Sequence, residues 1–257
     1  MNISPEQKEF YQANGFLTGY PILSSDEADE LLHDYLAFMR GERFHPQWKT
    51  GGLSRFQKLP LLSHHIKTPV MESLLTRARS LGEQLVGGDL FLWGDQTVMK
   101  PAGSEVNVAW HQDLAYWWNY PRKQALRRDE RAITCWVALG DVGQDMGPVS
   151  FVAGSHQETY PHHCVSVPTD DYNVDDRLFV DPALVTSSGK RIFQSCLKKG
   201  QCSFHDSGTL HGSGPNRSSS PRYGYTLHFW PGKRRETRRL PSRSSWLVQW
   251  VLRRAWA

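Results

Sequence analysis

The chain has 257 residues, which at roughly 100–200 residues per domain points to one or two domains, long enough to bury a core without disulfide staples. Hydrophobic residues make up 39% and charged residues 22%, with 10 Trp, 11 Phe and 9 Tyr; this excludes disorder as the main state, and with it collagen-like, coiled-coil and low-complexity classes. The formal net charge of +4 is uneven, because residues 231–257 carry eight Lys or Arg against Glu236 and leave a mildly acidic body.

In chain order, Met1–Phe10 lacks the basic start and apolar stretch of a secretory signal. Ser4-Pro5-Glu6-Gln7 reads as a helix start, with Ser4 as cap, and Asn14-Gly15 as its stop. Gly15–Tyr20 reads as a short strand. Ser25 opens a second helix, in which Ala28, Leu31, Leu32, Tyr35 and Leu36 share a face. A third helix is expected over about 69–86, with Val70, Leu74, Leu75, Ala78, Leu81 and Leu85 on one side. From residue 90 short apolar segments alternate with Gly and Pro turn signals, the pattern of an antiparallel sandwich or barrel. Residues of about 157–200 are polar and less regular, and read as a long insertion. The expected whole is one domain: a mainly helical part (1–88), a mainly β core (89–230) and a basic tail (231–257).

No run approaches the roughly 18 apolar residues that would span a bilayer. Cys135, Cys164, Cys196 and Cys202 form no C-x-x-C or zinc spacing, so reduced thiols and a cytoplasmic location are expected. The basic tail permits nucleic-acid binding, but no nucleic-acid motif accompanies it and none is expected as a partner.

Among 11 histidines, the informative group is Trp110-His111-Gln112-Asp113. Residues i and i+2 of a strand share a face, so H-x-D on a strand or at its end sets an imidazole beside a carboxylate. His211 is the candidate third ligand. Two His and one carboxylate form the facial triad of non-haem Fe(II) oxygenases, which leaves open positions on the metal. Alone, H-x-D is a weak signal. Arg222, eleven residues after His211, strengthens it. Antiparallel strands joined by a loop through 216–220 would return this Arg beside the metal, where its fork can grip a carboxylate. His205, six residues before His211, and His228 read as packed histidines, and the pairs His64-His65 and His162-His163 as loop residues. Tyr116, Trp117, Trp118 and Tyr120 are either core or an aromatic wall near the metal.

These stretches are similar to the phytanoyl-CoA dioxygenase-like (PhyH) family of Fe(II)/2-oxoglutarate oxygenases. The likeness is carried by Glu6–Phe16, Met99-Lys100-Pro101, Trp110–Asp113, Met146-Gly147-Pro148 through Gly154-Ser155-His156, and Phe204–Asn216. The resemblance implies a double-stranded β-helix, a cupin-like jelly roll with flanking helices. It implies His111, Asp113 and His211 as ligands of Fe(II), and Arg222 and Ser213 as partners of the distal carboxylate of 2-oxoglutarate. Lys100, Gln112 and Trp136 fall where relatives line the cosubstrate pocket. Halogenating relatives have a small residue at the place of Asp113, so hydroxylation of a small-molecule metabolite is expected, with O2 consumed and succinate and CO2 released. Desaturation or cyclisation is the nearest variant. The alternative is a non-catalytic or 2-oxoglutarate-independent cupin-like protein.

Overall fold

A computed structural model describes residues 1–40, 68–118, 131–165 and 177–232. Helix α1 (Pro5–Asn14) begins with a capping box: Ser4 Oγ accepts from the Gln7 amide, and Gln7 Oε1 accepts from the Ser4 amide at 2.9 Å. It ends at Gly15, whose φ of 83° is the left-handed conformation glycine adopts most easily. Strand β1 (Phe16–Pro21) and helix α2 (Ser25–Met39) follow. Helix α3 (Pro69–Val86) is capped by Thr68 and buries Met71, Leu74, Ala78, Leu81 and Leu85 along one stripe.

The β region comprises β2 (Leu90–Lys100), β3 (Val108–His111), β4 (Ile133–Ala138), β5 (Val149–Val152), β6 (His163–Val165), β7 (Arg177–Phe179), β8 (Ile192–Ser195), β9 (Gln201–Asp206), β10 (His211–Ser213) and β11 (Arg222–Pro231). Two short helices, α4 (Asp113–Trp118) and α5 (Pro182–Ser187), interrupt it. A five-stranded sheet runs β1-β9-β4-β11-β2, and a four-stranded sheet β3-β10-β5-β8; both are antiparallel, and β6-β7 form a separate ribbon. This is the expected jelly-roll architecture.

Side-chain alternation divides the large sheet into two faces. Ile133, Cys135 and Val137, Cys202 and Phe204, and Tyr225, Leu227 and Phe229 join the stripes of α1, α2 and α3 in one apolar core. The alternate residues, Thr134, Trp136, Ser203, His205, Arg222, Thr226 and His228, take the opposite face, which looks onto the small sheet. All seven are buried. The helices therefore close one side of the large sheet, and the other carries this row of buried polar side chains toward the small sheet.

Two expectations change. The stretch around 157–200 is not wholly an insertion, because β8 pairs with β5 as a strand of the small sheet. In addition, β10 and β11 do not form a hairpin. They belong to different sheets, so the loop through 216–220 crosses the sandwich and Arg222 reaches the site from the facing layer. Tyr120, His64-His65 and the tail beyond Gly232 lie outside the described residues. No helix among the described residues is long and apolar enough to cross a membrane.

The end of α1 is tied to the loop before β10. The Gly15 carbonyl accepts from the Asp206 amide at 2.8 Å and from Thr209 Oγ1 at 2.7 Å. A Cβ at Gly15 would lie 2.5 Å from His156 Nδ1 and Thr209 Oγ1. Gly15→Ala is expected to destabilise the fold by at least about 1 kcal/mol through backbone strain, with the clash added. Gly19→Ala, also at positive φ (79°) but with open space around it, should show the strain alone; urea denaturation of the two variants separates the effects.

Candidate metal centre

β3 and β10 run antiparallel with His111 directly opposite His211. Their ring centroids stand 4.2 Å apart. The strand ends at His111, and Asp113 follows as the first residue of α4, so a strand end rather than a continued strand turns the carboxylate inward. Asp113 Oδ1 lies 3.7 Å from Nε2 of each imidazole. One ligand atom from each of the three residues falls within 4.8 Å of the others, and all three residues are buried or nearly so.

The imidazoles are oriented by the main chain. His111 Nδ1 is 2.8 Å from the Ala109 carbonyl, and His211 Nδ1 is 2.9 Å from the Thr209 carbonyl. A carbonyl only accepts, so each Nδ1 carries the proton and each Nε2 turns a lone pair toward Asp113. Burial, with His111 and His205 close by, pushes His211 well below the usual imidazole range and keeps it neutral. Two lone pairs and a carboxylate oxygen thus converge in a buried space. That donor set fits a divalent cation of the kind bound by two His and one carboxylate.

A second pole lies on the large sheet. Arg222 is 2% exposed, and among the described residues no carboxylate pairs with it. Burial lowers it to about 10. Its Nη1 donates to the Gly147 carbonyl, its Nε makes no hydrogen bond, and its guanidinium lies 5.3 Å from the Trp136 ring. Gly147 has a φ of 63°, and a side chain there would run into the Gly214 and Pro215 carbonyls. Trp136 in turn lies against Gly224, where a Cβ would overlap the indole.

On the same face as Arg222, Thr226 Oγ1 and Ser203 Oγ are buried without a hydrogen-bond partner among the described residues. Thr226, Trp136 and Ser203 form one row across β11, β4 and β9. Buried polar groups are nearly always paired, so this row and the guanidinium fit a polar, anionic ligand between the two sheets. Ser213 shares its strand face with His211 and is 8% exposed. Sequence reasoning missed Thr134, Thr226 and Ser203. Their signal was a polar residue at alternate positions of otherwise apolar strands.

Two expected pocket residues make hydrogen bonds to the main chain. Lys100 is 4% exposed, and its ammonium donates to the carbonyls of Val106 (3.1 Å), Ser213 (3.2 Å) and Gly214. These contacts to the main chain support the strand end that carries Ser213. Gln112 donates to the carbonyls of Glu158 and Gly208 and accepts from the Tyr160 amide, while its own amide meets His162 Nε2 at 3.0 Å. It therefore joins the His111–Asp113 segment to the loop before His211. His205 is 3% exposed on β9 and is not in the triad; its Nε2 lies 3.4 Å from Asp113 Oδ2, the oxygen turned away from the other two rings.

With this geometry in view, the chain matches the family model described as phytanoyl-CoA dioxygenase (PhyH) over residues 11–224. It is 25% identical over 233 residues to the ectoine dioxygenase of Bordetella bronchiseptica, a match covering 86% of this chain and 73% of that protein. It is 24% identical over 229 residues to a probable alpha-ketoglutarate-dependent hypophosphite dioxygenase of Stutzerimonas stutzeri, covering 84% and 75%. Among solved structures it resembles EvdO2 from Micromonospora carbonacea var. aurantiaca in complex with 2-oxoglutarate, with a TM-score of 0.66, 22% identity, and 94% and 96% of the two chains covered. The alpha-ketoglutarate-dependent carbocyclase SnoK from nogalamycin biosynthesis shares the fold at a TM-score of 0.64 and 21% identity, over 89% and 84% of the chains. A paired-histidine and carboxylate centre inside a jelly roll is the frame of a non-haem metal oxygenase. The chain belongs to the phytanoyl-CoA dioxygenase (PhyH) family.

His111→Ala or Asp113→Ala should each remove bound divalent metal, read by metal analysis after gel filtration, with an unchanged far-UV circular dichroism spectrum. Full metal content in both variants would show that the three residues do not hold it.

Proposed function

We propose that the protein is an Fe(II)/2-oxoglutarate-dependent dioxygenase that hydroxylates an unactivated C–H bond of a small-molecule metabolite, releasing succinate and CO2. In this reading His111, Asp113 and His211 hold Fe(II) through Nε2, Oδ1 and Nε2. Arg222 pairs with the distal carboxylate of 2-oxoglutarate, with Ser213, Thr226 and Ser203 as hydroxyl partners and Trp136 as the support of the guanidinium. When bound, iron and 2-oxoglutarate supply the oxidising power from O2. The chain supplies placement: a fixed face of three ligands, a cation at a set distance from it, and walls that exclude water.

The observation that carries the reading is the buried guanidinium on the sheet facing the triad, which no carboxylate meets among the described residues. A cupin-like binding protein or an oxygenase that uses no oxo acid has no need of such a group. Desolvating a cation is costly unless an anion meets it, and a dicarboxylate anchored at the metal by one end presents its other carboxylate here. A small-molecule substrate follows from the company of relatives named as dioxygenases of ectoine and hypophosphite. Residues 1–257 are read as one oxygenase domain. A cytoplasmic location is part of the same proposal, in keeping with the unpaired thiols of Cys135, Cys196 and Cys202.

Anaerobic titration of the Fe(II)-loaded protein with 2-oxoglutarate is expected to produce a saturable visible charge-transfer band. Arg222→Ala should raise the concentration needed for half-saturation about 10–100-fold, the scale of a lost charge-assisted hydrogen-bond pair. Bound iron without a band would overturn the 2-oxoglutarate reading, and an unchanged half-saturation in Arg222→Ala would remove Arg222 from the cosubstrate site.

A further inference from the structure

The two oxygens of Asp113 have different surroundings. Oδ1 looks onto His111 and His211, each Nε2 at 3.7 Å. Oδ2 accepts a hydrogen bond from Thr134 Oγ1 at 2.8 Å. Thr134 is 1% exposed and sits on β4, in the large sheet, so this contact spans the sandwich. Thr134 Oγ1 is also 3.0 Å from His228 Nδ1. The hydroxyl has one proton, and the carboxylate takes it; the Thr134 oxygen therefore accepts from His228, which fixes the Nδ1–H tautomer of that ring. The order of donation is His228 Nδ1–H to Thr134, and Thr134 O–H to Asp113 Oδ2. His228, Thr134 and His205 stand in one row across β11, β4 and β9, and His205 Nε2 flanks Oδ2 at 3.4 Å.

We infer that Thr134, oriented by His228, is a positioning residue that restricts Asp113 to ligation through one oxygen. A carboxylate can bind a metal through one oxygen or both. Bound through both, Asp113 would fill a coordination position that the cosubstrate or O2 needs, since two His and one single-oxygen carboxylate leave three of six positions open. Holding Oδ2 in a hydrogen bond from the opposite sheet keeps it off the metal, and also stops the carboxylate from rotating about its Cβ–Cγ bond. This inference rests on the metal-centre reading above.

The test is anaerobic Co(II) titration of the wild-type protein and of Thr134→Val, Thr134→Ser and His228→Phe, reading the apparent Kd and the cobalt d–d spectrum. No turnover is involved. Thr134→Val keeps the shape but removes the hydroxyl; it is expected to weaken Co(II) binding about 10–100-fold, the usual effect of losing a hydrogen bond to a metal ligand, and to change the spectrum as the coordination number alters. Thr134→Ser should return both quantities close to wild type, a rescue that lost packing would not give. His228→Phe should weaken binding in the Thr134 background and have little further effect in the Thr134→Val background, since it acts through the hydroxyl. Wild-type Kd and spectrum in Thr134→Val would overturn the inference while leaving the metal centre intact. Failure of the wild-type protein itself to bind Co(II) would overturn the metal-centre reading, and this inference with it.

Discussion

A carboxylate held between two sheets sets the terms for this site. Removing an ion from water costs several kcal/mol even after relaxation, and Asp113 is 8% exposed. The hydrogen bond from Thr134 offsets part of that cost. The small sheet sets His111 and His211 on either side of Oδ1 through a direct strand register. The large sheet meets Oδ2 with Thr134 and His205. Because both imidazoles give their Nδ1 protons to carbonyls of their own strands, they present lone pairs rather than protons. The pocket is thereby arranged for a cation and is unfavourable without one.

Arg222 is the counterpart at the other pole. Its guanidinium is buried, and among the described residues no carboxylate pairs with it. The support for Arg222 is mostly a matter of space: Gly147 brings a carbonyl to the guanidinium, and Gly224 lets the Trp136 indole lie close beneath it. A larger residue at either glycine would displace the cation rather than merely loosen the fold.

Ligand placement also depends on segments far from the metal. The carbonyl of Gly15, at the end of the first helix, holds Asp206 and Thr209, and the Thr209 carbonyl orients His211. Gln112, between two ligands, ties their segment to Gly208 and Glu158. These links tie the N-terminal helix and the middle residue of H-x-D to the ligand segments. Both act on ligand geometry through the backbone.

Local physics was legible in the sequence. Ser4 as a cap, Gly15 as a helix stop, and the apolar stripe of 69–86 depend on neighbours a few residues apart, and all appear in the structure. The H-x-D pair, His211 and Arg222 were readable because the residue types carry the chemistry themselves. The sequence did not reveal which sheet each strand joins. Arg222 reaches the site across the sandwich rather than by a hairpin, and β8 belongs to the small sheet rather than to an insertion. Nor did it show that Lys100 and Gln112 tie main-chain segments together, or that Thr134, Thr226 and Ser203 lie buried on the face toward the small sheet. A side chain's hydrogen bonds depend on what the opposite layer presents, and layer pairing is set by burial of whole faces at long sequence separation. The alternation of a strand states that Thr134 and Cys135 point opposite ways; only the packed sheets decide that Thr134 meets Asp113 and Cys135 meets the helices.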